Sequence, residues 1–158
     1  MRVGLGYDVH AFDDSRALVL GGVTVQDQGG LAGWSDGDVL CHAIADALLG
    51  AAGLGDLGEH FPADALPEGA SSLQILARTA VLLADAGFSI VNVDAVVVIQ
   101  RVRMAPHRRL MVERIATSLS IEPARVSVKA TTTDWLGFTG RSEGAAGMAV
   151  ALIDRDGG

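Results

Sequence analysis

Apolar and polar residues alternate from Arg2 to His10, with Val3, Leu5, Tyr7 and Val9 on one side, and this period of two predicts a strand. Ala17 to Leu20 and Val23 to Val25 flank Gly21-Gly22 and read as strand pieces joined by a turn or bulge. From Gln26 to Gly37 the pattern dissolves into Gly, Asp and Ser, a loop and candidate lid. The period then lengthens. Leu40, Ile44, Ala47 and Leu48 make an apolar stripe, while Asp38, His42 and Asp46 recur every four residues opposite it, which predicts a helix from about Asp38 to Ala52. The glycines of Gly53-Leu54-Gly55-Asp56-Leu57-Gly58 end that helix, and the stretch from Glu59 to Gly69, with Pro62 and Pro67, is irregular. Ser71 or Ser72 caps a second helix that stops at Gly87 and turns Leu73, Leu76, Ala80 and Leu83 inward. Ser89 to Gln100 is a strand whose continuous apolar run, Ala95 to Ile99, predicts burial on both faces. Pro106 suits the first turn of a third helix reaching about Ser120. Arg125 to Thr131 alternates as a strand, Thr132 to Gly144 is a glycine-punctuated loop, and Ala145 to Ile153 is a last strand because Gly144 and Gly147 disfavour a helix.

This order predicts an α+β fold: a two-layer arrangement with three helices on one face of a mixed β-sheet, in a single domain over residues 1–158. A sheet left bare on its other face needs a partner, so the expectation is an oligomer.

Composition narrows the function. A net charge of −7 argues against non-specific nucleic-acid binding, which needs a basic field. No uninterrupted apolar run is long enough to span a membrane, and no targeting segment precedes the first strand, so a cytoplasmic location is expected. The one cysteine, Cys41, excludes an intrachain disulfide and a cysteine-rich zinc site, and reads as a small core residue.

Candidate chemistry starts with Asp8 and His10, two apart on a strand and therefore on the same side. With His42 on the helix they make a three-ligand set with an open position, suited to zinc or another divalent cation. Asp38 and Asp46 either support that site or cap and solubilise the helix. Ala130-Thr131-Thr132-Thr133-Asp134 offers hydroxyls and a carboxylate for phosphate oxygens and a hard cation, or is a β-run ending in a turn. Arg141 and Glu143 can be a plain surface pair. Arg101, Arg103, Arg108 and Arg109 form the one basic cluster, a phosphate contact or a solvated face.

Taken together, Asp8-Val9-His10, Ser35-Asp36-Gly37-Asp38-Val39, His42, Asp46-Ala47-Leu48-Leu49-Gly50, Gly55-Asp56-Leu57-Gly58, Phe61-Pro62, Lys129-Ala130-Thr131-Thr132-Thr133 and Leu136-Gly137-Phe138-Thr139-Gly140-Arg141 resemble the 2-C-methyl-D-erythritol 2,4-cyclodiphosphate synthase family in order and spacing, from Arg2 to about Ile153. The resemblance implies a homotrimer with active sites between subunits. It implies an enzyme of the non-mevalonate isoprenoid (terpenoid) pathway, a phosphorus–oxygen lyase. Its substrate would be 4-diphosphocytidyl-2-C-methyl-D-erythritol 2-phosphate, cyclised with release of CMP. It implies zinc on Asp8, His10 and His42, and Mg²⁺ or Mn²⁺ with the diphosphate, held by Asp134 where many relatives carry Glu. Thr132 and position 34 would stabilise the transition state. Ser35 would contact the diphosphate through its backbone. Asp56, Leu57 and Gly58 would hold the methylerythritol hydroxyls, and Phe61 and Asp64 would also contact the substrate. Arg103, Met104, Ala105, Ala130, Thr131 and Thr132 would wrap the cytidine phosphate from the adjacent subunit, and Thr133 would also contact the substrate. Phe138, Arg141 and Glu143 would line an axial cavity able to hold an isoprenoid diphosphate.

Three departures from the family pattern stand out. Trp34 replaces the usual His, and its indole has one N–H donor for a phosphate oxygen but no cationic form. Ala63-Asp64-Ala65 replaces an acidic run, with one residue fewer before Gly69. Arg103 replaces a common Lys. Two other functions use the same residues: a zinc-dependent phosphohydrolase, and a non-catalytic trimer that binds an isoprenoid diphosphate or nucleotide.

Overall fold

A computed structural model of the chain describes residues 1–62 and 66–155. Strand β1 runs Arg2–Asp13, and its large apolar side chains point away from the helices, with Val3 68% and Leu5 67% exposed. The buried side of the strand is made by Gly4 and Gly6 instead. A Cβ on Gly6 would lie 1.9 Å from the carbonyl oxygen of Ala43, and one on Gly4 would lie 2.0 Å from that of Ala47. Helix α1 (Val39–Ala52) therefore rests backbone to backbone on the sheet, a close approach that only glycine permits. Gly147 does the same on strand β7 (Gly144–Arg155), where a Cβ would come within 2.3 Å of the carbonyl oxygen of Val39.

Helix α1 differs from the amphipathic pattern expected of it. Twelve of its fourteen residues are buried, because the sheet lies on one side and helix α3 (Ser72–Asp85) on another. Asp38 does not share the face of His42. It is the N-cap, fully buried, and its carboxylate accepts N–H bonds from Leu40 at 3.2 Å, Cys41 at 3.1 Å and Gly22 at 2.6 Å. The last bond ties the helix start to a hairpin of β2 (Leu18–Leu20) and β3 (Val23–Gln26). Gly53, with φ of 72°, ends the helix in the left-handed region.

The main sheet also contains β4 (Gly30–Leu31), β5 (Phe88–Val98) and β6 (Val126–Thr131), in the order β4-β1-β7-β5-β6. β5 and β6 are parallel and the other pairs antiparallel, so the sheet is mixed. β5 is not buried on both faces. Ala95, Val97 and Ile99 are buried, whereas Val96 and Val98 are only half-buried, since helices cover one face alone. The uncovered face carries registered rows: Leu5 beside Val150 beside Asp94, then Tyr7 beside Met148 beside Val96 beside Lys129. It is apolar over β1 and β7 and charged at β5 and β6, where Lys129 pairs with Asp94 at 2.5 Å.

The third long helix, α4 (Arg108–Leu119), begins two residues after Pro106, because a turn closed from His107 N–H to the Met104 carbonyl precedes it. Two one-turn helices, α2 (Leu57–His60) and α5 (Gly137–Gly140), lie in stretches read from sequence as loops. They are too short to display a helical period.

Candidate active site

Asp8 and His10 lie on the helix-facing side of β1, continuing the row of Gly4 and Gly6. The glycine contacts bring α1 low enough for His42 to reach them. Asp8 Oδ2 is 2.8 Å from His10 Nε2 and 3.0 Å from His42 Nδ1, and the two imidazole nitrogens are 3.1 Å apart. These three atoms form one cluster suited to a metal ion. Tetrahedral zinc with bonds of about 2.0–2.1 Å needs ligand atoms roughly 3.3 Å apart, so the triangle need open by only a few tenths of an ångström. All three donors are normal zinc ligands, and they leave one side of the triangle free.

The electrostatics suit a cation. Burial opposes charge on Asp8, but the His10 and His42 imidazoles hold its carboxyl well below the usual carboxylate range. The hydrogen bond to Asp8 raises His10 above its ordinary value, against the opposing effect of burial. The far nitrogen of each imidazole is also engaged: His10 Nδ1 on the Ala32 carbonyl, and His42 Nε2 near the hydroxyls of Ser35 at 3.1 Å and Ser72 at 3.0 Å. Cys41, beside His42 in sequence, is not a ligand; burial pushes its thiol well above its ordinary value, as for an inert core residue.

The loop before α1 is held from outside. The Arg16 guanidinium donates to the carbonyls of Gly33 and Ser35. Trp34 is 48% exposed, and its indole N–H donates to the Leu66 carbonyl at 2.8 Å. Its single donor is thus taken within the chain by that carbonyl. The Trp34 carbonyl accepts from Gly69 N–H at 2.8 Å, a second tie to the same segment. Trp34, Ser35, His42, Leu57, Phe61, Pro62, Leu66 and Ile75 enclose a cavity of about 100 Å³ beside the cluster. Asp46, one helical turn after His42, accepts the Leu57 N–H at 2.7 Å and so fixes α2 and its N-cap Asp56. Asp64 lies outside the described residues.

The remaining expected site residues gather elsewhere. Arg103, Met104, Ala105 and Ala130 line a separate 460 Å³ cavity with Arg108, Met111, Val128 and Lys129. Thr131 and Thr132 are exposed at the end of β6. Asp134 N–H donates to Thr132 Oγ1 at 3.3 Å, and Asp134 holds a φ of 51°. Thr133 Oγ1 donates to the Leu136 carbonyl at 2.6 Å and so braces the turn that follows. Arg101 stacks over Trp135, and Arg109 pairs with Glu113, so the basic cluster does not act as one patch. Arg141 meets Glu143 in a two-pronged pair, Nε to Oε1 at 2.7 Å and an Nη to Oε2 at 3.3 Å. Phe138 is half-buried nearby on α5.

The two groups of residues do not meet within one chain. Register aligns Asp8 with Gly147, Gly147 with Val97, and Val97 with Ala130. Three strand spacings of about 4.8 Å separate Asp8 from Ala130 by roughly 14 Å across the sheet. Sequence reasoning missed Arg16, and it missed Asp36 and Ser72 behind His42. The signal available for Ser72 was its place at a helix start, which equally signifies a cap.

Comparisons with known proteins agree with this geometry. The model of the YgbB family matches residues 1–154. A 2-C-methyl-D-erythritol 2,4-cyclodiphosphate synthase of Pelotomaculum thermopropionicum is 52% identical over 158 residues, covering 99% of this chain and 98% of that one. A synthase of the same name from Syntrophobacter fumaroxidans is 54% identical, covering 99% of each. Among solved structures, a CDP complex of IspF from Plasmodium falciparum superposes with a TM-score of 0.85 at 32% identity, over 98% of this chain and 96% of that one. The bifunctional IspDF of Campylobacter jejuni superposes with a TM-score of 0.94 at 40% identity; the match covers 98% of this chain and 42% of that longer one. The chain belongs to the YgbB family.

Proposed function

We propose that this protein converts 4-diphosphocytidyl-2-C-methyl-D-erythritol 2-phosphate to CMP and 2-C-methyl-D-erythritol 2,4-cyclodiphosphate, the product in its relatives' names. The observation that carries this is the Asp8–His10–His42 triangle with one free side, beside the cavity walled by Trp34, Ser35, Leu57 and Phe61. In the reaction a 2-phosphate oxygen bonds to the β-phosphorus. The bond from that phosphorus to the bridging oxygen breaks, and the bridging oxygen leaves with CMP. The nucleophile is already ionised near neutral pH, so the protein needs no strong base. Its tasks are alignment and charge neutralisation.

Asp8, His10 and His42 would hold zinc, and Asp134 a Mg²⁺ or Mn²⁺ ion; such ions supply Lewis-acid stabilisation of charge on phosphoryl oxygens. The chain's other groups do the rest. The exposed Thr132 hydroxyl is free to turn from Asp134, 3.4 Å away, to a phosphate oxygen. Asp56, on a turn pinned by Asp46, would accept from the methylerythritol hydroxyls. Trp34 and Phe61 would cover the apolar face of the substrate and exclude water.

The separation of about 14 Å between Asp8 and Ala130 supports a site shared between subunits. The bare apolar rows of β1 and β7 suit packing around the axis of a homotrimer. At that axis Phe138 would face an isoprenoid tail and Arg141 its diphosphate. The test is mass spectrometry of products after incubation with the substrate, Zn²⁺ and Mg²⁺. Cyclic diphosphate with equimolar CMP is expected. A ring-opened diphosphate or free phosphate would indicate a phosphohydrolase, and CDP binding without turnover a non-catalytic binder.

A further inference from the structure

Two buried hydroxyls and a carboxylate stand behind His42 that the proposed reaction does not use. Asp36 lies in the loop between β4 and α1, and Ser72 is the first residue of α3, fully buried. The Asp36 carboxylate receives three donors. Oδ1 takes the Ser72 hydroxyl at 2.5 Å and the Asp38 N–H at 3.3 Å, and Oδ2 takes the Ser72 N–H at 3.0 Å. A carboxylate only accepts, so the Ser72 hydroxyl proton is committed toward Asp36. Ser72 Oγ then has only lone pairs to offer His42 Nε2, 3.0 Å away.

We propose that Asp36 and Ser72 are positioning residues for the metal centre: a directed hydrogen-bond chain keeps a proton on His42 Nε2 and leaves Nδ1 as the ligand atom. The inference rests on the metal-binding role proposed for His42.

His10 explains why the chain needs a carboxylate. Its far nitrogen, Nδ1, faces the Ala32 carbonyl, which can accept but never donate, so that imidazole is oriented by one partner. A serine hydroxyl can do either and fixes nothing alone. Asp36 removes that ambiguity. Ser35 Oγ is 3.1 Å from the same Nε2 and 3.3 Å from Ser72 Oγ, and it accepts the Gly37 N–H at 3.3 Å; with its proton given to Ser72, it too turns a lone pair to Nε2. His42 is 8% exposed, so bulk water does not compete for Nε2. A carboxylate that merely capped α3 would need Oδ2 alone; the short bond from Oδ1 to the hydroxyl is additional.

The test uses the full chain and two readouts. Nitrogen-15 NMR of the zinc-loaded protein, in which the metal rather than Asp8 takes Nδ1, reports whether His42 Nε2 carries a proton and how fast that proton exchanges, and competition with a chelator reports zinc affinity. In the wild type, Nε2 should show a protonated-nitrogen shift with a slowly exchanging N–H cross-peak. Ser72→Ala removes the committed acceptor and leaves Ser35 Oγ, 3.1 Å from Nε2, free to donate to it instead. Asp36→Asn lets the amide donate to Ser72 and frees the hydroxyl to point at Nε2. Both should lose the cross-peak and bind zinc about 10–100-fold more weakly, the range for partners of metal-bound histidines. Ser72→Thr should keep both properties. Circular dichroism confirms that each variant is folded.

An unprotonated Nε2 in the wild type overturns the proposal. So does an unchanged zinc affinity in both variants, or a weaker affinity with the cross-peak retained, which would signify packing alone. His42→Ala separates the two layers of argument. If it takes up zinc as the wild type does, the metal assignment is wrong, and the cross-peak alone decides the proton's place.

Discussion

One alanine substitution, placed at two glycines, should have opposite consequences. At Gly6 a new Cβ would lie 1.9 Å from the Ala43 carbonyl oxygen and 2.7 Å from the Ala47 nitrogen, backbone atoms of α1 that cannot rotate aside. Reaching the 3.4 Å where ordinary contact begins requires α1 to rise from β1 by about 1.5 Å. Overpacking a core costs typically 1–3 kcal/mol, and with backbone as the obstacle the expected loss is about 3 kcal/mol. For a domain of this size that lowers Tm by roughly 6–12 °C. The function suffers more. His42 precedes Ala43 directly, so the same rise carries its Nδ1 away from Asp8, now 3.0 Å distant, and opens the ligand triangle past the spacing of about 3.3 Å that zinc accepts. Zinc affinity should fall more than about 10²-fold. Gly50 lies on the same helix, exposed and with nothing near its absent Cβ. Gly50→Ala should raise stability by about 0.8–1 kcal/mol through helix propensity and leave zinc untouched. Thermal melts at one protein concentration and chelator competition measure both. A Gly6→Ala protein with wild-type Tm and zinc affinity would refute the argument that glycine contacts set the height of α1.

Subunits carrying Asp56→Ala and Thr132→Ala, each inactive alone, should recover activity when mixed into one trimer; no recovery after verified exchange would place each site within one chain. Trp34→His should raise kcat by up to about 10²-fold, since imidazolium adds charge that indole lacks, with zinc content unchanged; a lower kcat would show that the tie to Leu66 matters more. The metal-free protein should show a window of stability in pH. Asp8 is depressed from 3.8, so its contribution is present above that value and lost as pH falls through the folded value. His10 is raised from 6.5, so its contribution is present below 6.5 and lost as pH rises through the folded value. Tm in chelator should therefore decline from pH 6.5 upward, and a steady climb would contradict it. Calorimetry with geranyl diphosphate should show weaker binding for Arg141→Ala and tighter binding for Glu143→Ala, because Glu143 holds the guanidinium in a two-pronged pair; equal affinities would move the ligand away from the axis.

The sequence alone determined the parts of this protein that depend on short-range periodicity. A period of two put Asp8 and His10 on one side of a strand, a period near four put His42 on a helix, and glycines marked the ends of the first two long helices. Charge and cysteine count excluded whole classes of function for the same reason: they need no coordinates. Tertiary structure decided what periodicity cannot express. Alternation on β1 shows two faces but not which one is covered, and the glycine face won because a helix backbone has to come within reach of Asp8. The apolar run Ala95 to Ile99 resembles a doubly buried strand until the sheet proves to have helices on one side only. Asp38 shares a four-residue spacing with His42, yet as N-cap it turns to the N–H groups of Leu40 and Cys41, because free N–H groups at a helix start attract a carboxylate. Asp36 and Ser72 are thirty-six positions apart and meet only because α3 packs beside the start of α1. Such contacts are set by which backbones can approach one another, and the order of residues along one segment carries no record of that.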